Sequence, residues 1–346
     1  MVDSAGRTRL IGLYQNCRAY HGELHEHAQT GGTSDGMCPL SEWHSLLSEF
    51  HMDFAAILDH RQIRHMYLPE WEDGLFIPGT EPGTRIINGS TVSNEMHYNI
   101  LLPHRDLLAD LLNDFPEFEF TGGLEGHFVY PYFTRERFGQ LIDAIKARGG
   151  FFVHPHPKQY LKADDPLDYW FRDETGIEAV YVSMDSVQTR DNFQLWLDLL
   201  SAGKRVWACA GGDTHYRTEA AALTTIYAEE HTSASFLSHL RTGDFTCGAV
   251  GIRMCIGDTR TGGQCPFDGQ KLTVCVSDFH ESVKDPDHQY RLDVISDQGV
   301  VYSAPVSCME ETFVTIDTEN CAFYRAEVID ETKNLRIAIG NPIWNR

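Results

Sequence analysis

Between residue 8 and about residue 248, short apolar runs alternate with stretches whose apolar residues recur at helical spacing. Leu40, Trp43, Leu46 and Leu47 follow Pro39, which suits a first helical turn, so a helix is predicted over 39–50. Residues 54–58 (Phe-Ala-Ala-Ile-Leu) read as a buried strand that ends at Asp59-His60. Residues 74–79 lead into Glu81, and 98–102 form another strand just after His97. A second helix is predicted over 135–148, stopped by Gly149-Gly150, and the apolar 151–153 runs into His154. The strand 177–182, the helix 188–202 and the strand 206–210 repeat the pattern before Asp213. After about Gly248 the period changes. Runs at 272–276, 290–295, 312–316, 323–328 and 335–339 are short, alternating or β-branched, and turn residues separate them. That texture predicts an α/β domain over 1–248 and an antiparallel β-sandwich over 249–346. No low-complexity linker separates the two, so they should pack directly on one another.

The polar residues that interrupt this pattern are not random. His25 and His27 form a His-x-His, which on a strand places both imidazoles on one face. Asp213 and His215 repeat that spacing, and Asp35, His60, Glu81, His97 and His154 lie between, each beside a predicted strand end or tight loop. Barrel enzymes place their chemistry at the C-terminal ends of strands. Neutral imidazole and carboxylate are ligands of Zn, Mn and Fe, and nine candidates exceed one centre, so more than one divalent ion is expected. Glu81 and Asp213 are the expected catalytic carboxylates, since a carboxylate can bridge two metals. His104 competes with His97, and His156 with His154. His44 and His51 read as surface or groove residues, and His280 and His288 as members of a solvated acidic loop with Asp278, Glu281, Asp285 and Asp287.

Composition narrows the class. The 346 residues are 42% hydrophobic and 23% charged, as in a globular protein large enough for two domains. The net charge of −22 would repel nucleic acid over most of the surface. No run approaches the roughly 20 apolar residues of a membrane span. Residues 1–7 lack the apolar stretch of a signal peptide, and nine scattered cysteines without Cys-x-x-Cys suit reduced thiols, so a cytoplasmic location is expected.

In order along the chain, Glu23-Leu24-His25-Glu26-His27, Ser34-Asp35-Gly36, Leu58-Asp59-His60, Gly79-Thr80-Glu81, His154-Pro155 and Gly212-Asp213-Thr214-His215 resemble the motifs of the PHP (polymerase and histidinol phosphatase) superfamily. The resemblance covers about residues 19 to 220. Further on, Leu240-Arg241-Thr242-Gly243-Asp244-Phe245 and Gly340-Asn341-Pro342-Ile343-Trp344 resemble the branch named for a carbaryl hydrolase, whose members carry a β-domain after the catalytic barrel. The resemblance implies a distorted (β/α)7 TIM-like barrel holding two or three metals. It further implies that His25 and His27 bind a first metal with Glu81 and Asp213. Glu81 then bridges to a second held by His97 and His154, and Asp35, His60 and His215 form a third group. Glu23 stands where the family's first motif has Asp, and Gly212 where it commonly has Ser.

Metal-bound water with a lowered pKa would be the nucleophile, and no Gly-x-Ser-x-Gly is present to supply another. Three carboxylates offset only part of the charge of two or three divalent ions, so a small anionic substrate, most simply a phosphate ester, is expected. Arg61, Arg135 and Lys158 are candidates to orient it. The branch resemblance implies an alternative, an ester, amide or carbamate hydrolase on the same metals. An amidohydrolase barrel also begins with His-x-His but usually ends in a lone Asp, against which Glu81 and Asp213-x-His215 argue. A non-catalytic metal-binding module is the third class.

Overall fold

The computed structural model describes residues 4–118, 130–161 and 171–346, so the first three residues of the 1–7 segment read for a signal peptide lie outside the described residues. Strand β1 (Arg18–Glu26) is followed by β2 (Phe54–Ile57) and β3 (Phe76–Thr80), and the three pair in parallel. Every residue of β2 is buried on both faces, which is why it reads as a continuous apolar run rather than an alternating one. Next come the short strands β4 (Gly83–Asn88), β5 (Thr91–Val92), β6 (Met96–His97) and β7 (Asn99–Leu101). Strand β7 runs antiparallel to both β3 and its other neighbour, so the expected regular βα alternation is interrupted here. The cause is local: β4 folds back from β3 and pairs with β6 and with β8 (Tyr132–Thr134), leaving no helix to carry the chain around. Beyond β7 lie β9 (Phe151–His154), β10 (Gly176–Tyr181) and β11 (Trp207–Gly211), again parallel. Past its end β11 meets β1: Glu26 bridges Thr214, His27 N–H donates to Thr214 O and Asp213 N–H to His25 O.

Leu40–Glu49, Arg135–Ala147 and Val187–Ser201 form where the apolar spacing predicts helices, whereas Arg105–Asp114 and Ser233–Thr242 are helices that the spacing did not reveal; caps set the ends. Leu40–Glu49 buries Leu40, Trp43, Leu46 and Leu47. Arg135–Ala147 starts at Thr134, whose hydroxyl accepts Arg137 N–H, and stops before Gly149 at φ +75°. Val187–Ser201 is capped by Ser186, and Ser233–Thr242 ends at Gly243 in the left-handed region. A Cβ at Gly243 would press on the Trp207 indole, so glycine is needed there for two reasons. No described helix is long and apolar enough to cross a membrane.

The C-terminal part contributes two antiparallel sheets. One contains β14 (Val250–Ile256), β15 (Thr259–Arg260), β17 (Lys271–Phe279) and β20 (Thr312–Asp317); between them in sequence come β16 (Gln264–Cys265), β18 (Tyr290–Ser296) and β19 (Gly299–Val306). The other contains β19, β18, β21 (Phe323–Asp330) and β22 (Leu335–Gly340), with the last short strand β23 (Ile343–Asn345) beside β21. Ile252, Met254, Val274 and Val276 face Leu292, Val294, Ala326 and Val328 in a core distinct from that of the α/β part. Two connections nevertheless cross residue 248. Strand β12 (Thr224–Ala228), antiparallel to β1, leads to β13 (Phe245–Gly248), and β13 pairs with β22, so one hydrogen-bonded sheet runs through both parts. The N-terminal helix Ser4–Leu13, which the sequence pattern did not reveal, packs Leu10 against Cys255, Cys275 and Phe313 of the β-rich part.

Candidate metal centre

Glu81 is the middle of the site. It follows β3, its side chain is buried, and imidazoles surround both of its oxygens. Its Oε2 lies 3.2 Å from His25 Nε2, 3.2 Å from His27 Nε2 and 3.2 Å from His60 Nδ1. Its Oε1 lies 3.0 Å from His97 Nδ1 and 3.2 Å from His156 Nε2. Asp213 stands opposite, with Oδ1 3.3 Å from His25 Nε2 and 3.0 Å from His27 Nε2, while its Oδ2 accepts the Tyr181 hydroxyl at 2.6 Å. A third group forms on the other side of His27, where Asp35 Oδ1 is 3.2 Å from His215 Nε2 and 3.5 Å from His60 Nε2. Three sets thus have ligand atoms within 4.8 Å of one another: His25, His27, Glu81 and Asp213; His27, Asp35, His60 and His215; and His60, Glu81 and His97.

The elements explain this convergence. β1 delivers His25 and His27, the ends of β2 and β3 deliver His60 and Glu81, β6 delivers His97, and the turn after β11 delivers Asp213 and His215. Three site-bearing turns contain non-glycine residues with positive φ: Arg61 at +50°, His156 at +32° and Asp213 at +50°. Such backbone costs of order 1 kcal/mol or more per residue and concentrates at functional sites. Gly211 and Gly212 precede Asp213 because the carboxylates of Glu178 and Glu26 occupy the space a Cβ would need. The glycine that departs from the family motif at 212 therefore accommodates Glu26. Glu23, the other departure, is hydrogen-bonded away from the ligand rings. It accepts the Thr218 hydroxyl at 2.7 Å and Ala222 N–H at 3.4 Å, tying down the loop after His215.

The donor set fits divalent metal ions. His215 Nδ1 lies 2.9 Å from the Asp213 carbonyl, which can only accept, so a neutral ring keeps its Nε2 lone pair toward Asp35. His25 is fixed in the same sense by a 2.6 Å bond from Nδ1 to Glu178, leaving a buried Nε2 and Glu81 Oε2 that have no hydrogen-bond partner. Lone pairs facing carboxylates require a cation between them. In the metal-free protein that cation is a proton. Burial opposes charge on His25, but Glu81, Glu178 and Asp213 outweigh it and hold its pKa well above the ordinary value. Burial likewise opposes charge on His27, yet its bonds to Asp213 and Glu81 push it up to about 10. Glu81 is held well below the usual carboxylate range: burial would raise it, and the surrounding histidines override that. Burial also works against Asp35, but His215 and His60 bring it down to about 2. His60 falls to about 3, through burial, with Glu81 opposing and His27 and His97 reinforcing the drop.

One expected ligand is elsewhere. His154, on β9, packs among Phe138, Phe152 and Phe171 with no contact to Glu81, and burial lowers its pKa to about 3. Strand alternation puts it on the same face as Phe152, toward the helix Arg135–Ala147. The chain then turns at Pro155, and the left-handed backbone of His156 swings that ring to Glu81. Of the two His-Pro pairs, it is His156-Pro157 whose ring reaches Glu81, 3.2 Å from Oε1, and not His154-Pro155. His104, the competitor of His97, instead caps the helix Arg105–Asp114 by accepting Asp106 N–H. His44 donates to or accepts from nothing in the cluster and lies by the Glu70 carbonyl. His280 is not in a solvated loop: it is buried, with Nε2 2.9 Å from Phe50 O, joining the β-rich part to the end of the first large helix. His288 pairs with Asp330. Of the proposed substrate-orienting residues, Arg61 is buried close to Tyr98 and Tyr130, and the Tyr130 hydroxyl lies 3.1 Å from His97 Nε2. Lys158 is exposed two residues after His156, and Arg135 is exposed at a helix start.

Sequence reasoning missed Glu178, Tyr181 and Tyr130. For Glu178 a signal was available: it is the one charged residue in the otherwise uncharged, fully buried strand β10. For the tyrosines there was none, because their hydroxyls reach Asp213 and His97 only through the tertiary fold.

No family model matches this chain, and no curated protein matches its sequence. Among solved structures it is similar to an amidohydrolase from Chromobacterium violaceum, solved with bound sulfate and no metal, at 15% identity and a TM-score of 0.40 over 58% of this chain and 89% of that one. It is also similar to a protein of Bifidobacterium adolescentis assigned as a metal-dependent phosphoesterase, at 14% identity and a TM-score of 0.33 over 57% of this chain and 88% of that one.

Proposed function

We propose that this chain is a metal-dependent hydrolase, a phosphoesterase that holds two or three divalent ions around Glu81. The observation that carries the reading is a single buried carboxylate approached by five imidazole nitrogens at 3.0–3.2 Å. Such an arrangement is unstable for neutral imidazoles alone and natural for a carboxylate bridging two cations. We read β1, β2, β3, β7, β9, β10 and β11, joined from β11 back to β1, as the distorted seven-stranded barrel of the PHP superfamily, with β12–β13 leading into the accessory β-domain.

His25, His27, Glu81 and Asp213 would hold one ion, His97, His156 and Glu81 a second, and Asp35, His60 and His215 a third. Bound divalent ions would supply Lewis-acid polarisation of the substrate and activation of water near neutral pH. The chain's own groups do the rest. Tyr181 holds Asp213 through Oδ2, leaving Oδ1 aimed at His25 and His27. Tyr130 steadies His97 from its far side. Arg61, buried beside Tyr130, places a fixed positive charge next to the cluster and favours an anionic substrate; Lys158 offers a mobile one from the adjacent loop.

The test is a metal analysis of protein purified without chelator, followed by a panel of 4-nitrophenyl phosphate, 4-nitrophenyl acetate and an aryl carbamate. The expected result is more than one Zn, Mn or Fe per chain, turnover of the phosphate, and competitive inhibition by inorganic phosphate. Less than one metal per chain after reconstitution would overturn the metal reading. Cleavage of neutral esters or carbamates with indifference to phosphate would replace the phosphoesterase by the carboxylester, amide or carbamate hydrolase.

A further inference from the structure

We infer that Glu178 is a positioning residue that sets two ligands of the metal centre at once, one through its ring and one through its backbone. The inference rests on the metal reading above. Glu178 projects from β10, its side chain is buried, and both its oxygens are occupied by donors: Oε1 by His25 Nδ1 at 2.6 Å and by Asn99 Nδ2 at 3.3 Å, Oε2 by His156 N–H at 2.8 Å.

Each bond has a separate consequence. The bond to His25 places the proton on Nδ1 and leaves Nε2, 3.2 Å from Glu81, as the coordinating atom. The bond to His156 holds the amide of a residue in left-handed backbone at φ +32°, which is the turn that carries this ring, and not that of His154, to Glu81. His25 and His156 lie on opposite oxygens of Glu81, so one carboxylate orients imidazoles on both sides of the proposed bridge. The fold keeps room for it: at Gly211, a Cβ would collide with Glu178 Oε1 and the Glu178 carboxyl carbon. A buried carboxylate is costly unless hydrogen-bonded, and among the described residues this pair of ligands and Asn99 supply the bonds to Glu178.

Glu178→Gln tests the assignment. A glutamine has one accepting oxygen and one donating amide, so it cannot accept from both His25 and His156. With the full-length protein, Zn²⁺ and Mn²⁺ affinities are measured by competition with a chromophoric chelator, alongside thermal unfolding and long-range ¹H–¹⁵N spectra of the histidines. The expected result is a folded variant whose metal affinity falls by about 10- to 100-fold, the usual effect of losing an outer partner of a ligating histidine. In metal-loaded wild type, His25 should be protonated at Nδ1. Gly211→Ala, whose Cβ would press on the Glu178 carboxylate and also, at 3.0 Å, on His25 Cβ, should lower the affinity in the same direction. Unchanged affinity in folded Glu178→Gln overturns the inference, as does metal on His25 Nδ1. If Glu178→Gln does not fold, the His25 tautomer decides. A wild-type protein that binds no metal overturns the proposed function, and this inference with it.

Discussion

Two histidines two positions apart behave as opposites, and the difference lies in what surrounds each ring. His154 is enclosed by aromatic side chains and stays neutral; His156 sits against Glu81, Asp213 and Glu178, which raise its pKa over the cost of burial. His156→Ala is therefore expected to reduce metal content sharply with little loss of stability. His154→Ala should retain its metal and lose about 2–4 kcal/mol of unfolding free energy through the cavity it leaves. Elemental analysis and denaturant unfolding of both variants check the pair, and a metal-depleted His154→Ala would reverse the assignment. Protonation supplies a second prediction. His27 titrates near 10 in the metal-free protein and must be neutral to bind a metal, so metal binding displaces a proton wherever the pH is below about 10. Apparent affinity should then rise with pH, by about tenfold per unit for each proton released, and fall on acidification. Calorimetric titration in buffers of different ionisation enthalpy measures that release; an enthalpy independent of buffer at pH 7 would contradict it.

At the scale of elements, strand ends and turns do the positioning, and the helices brace them. The helix Val187–Ser201 returns the chain from β10 to β11, so its start fixes the turn just past Tyr181. Ser186 accepts Thr189 N–H and donates to Tyr181 O at 2.6 Å, joining the helix cap to the end of the strand that carries Glu178 and Tyr181. Ser186→Ala should cost about 1 kcal/mol of stability for the lost cap. Because the same hydroxyl anchors Tyr181, it should also loosen Asp213 and lower metal affinity. Thr134→Ala, the equivalent cap on a helix whose strand carries no ligand, should cost similar stability and leave metal binding unchanged. Equal metal affinities in the two variants would show that the cap and the site are independent.

For the whole molecule, the sheet that crosses residue 248 makes the two parts hard to separate. The β13–β22 pairing is reinforced by Asn341, whose Oδ1 accepts Ala208 N–H at 2.8 Å at the start of β11. Arg336 and Arg325, bonded to Glu327, lie over the rings of Phe193 and Trp196 on the helix Val187–Ser201. The N-terminal helix packs Leu10 into a cluster that joins Tyr227 of β12 to Cys255, Cys275 and Phe313 of the β-rich part, so it spans both. Calorimetric unfolding of the full chain should thus give one cooperative transition, and a fragment of residues 1–250 should expose apolar surface and aggregate. Two resolved transitions, or a soluble metal-binding fragment, would show that the parts are independent.

Periodicity was enough to place three of the helices and many of the core strands close to their observed bounds, because each of those elements buries one stripe or both faces and its sequence records that burial; it did not reveal Ser4–Leu13, Arg105–Asp114 or Ser233–Thr242. It was enough also for eight of the nine candidate ligands that now meet around Glu81 or Asp35: His25, His27, Asp35, His60, Glu81, His97, Asp213 and His215. Residue type and position at strand ends are local properties. What the sequence could not specify was direction. His154 and His156 differ by a turn whose left-handed residue no propensity reveals, and β7 runs antiparallel because a hairpin replaces a crossover helix. Glu178 reads as an anomaly in an apolar strand until the fold sets His25 and His156 against its two oxygens. Hydrogen-bond partners distant in sequence, the crossing at β13–β22 among them, exist only once the chain has closed on itself, and that closure decided which imidazoles face the same carboxylate.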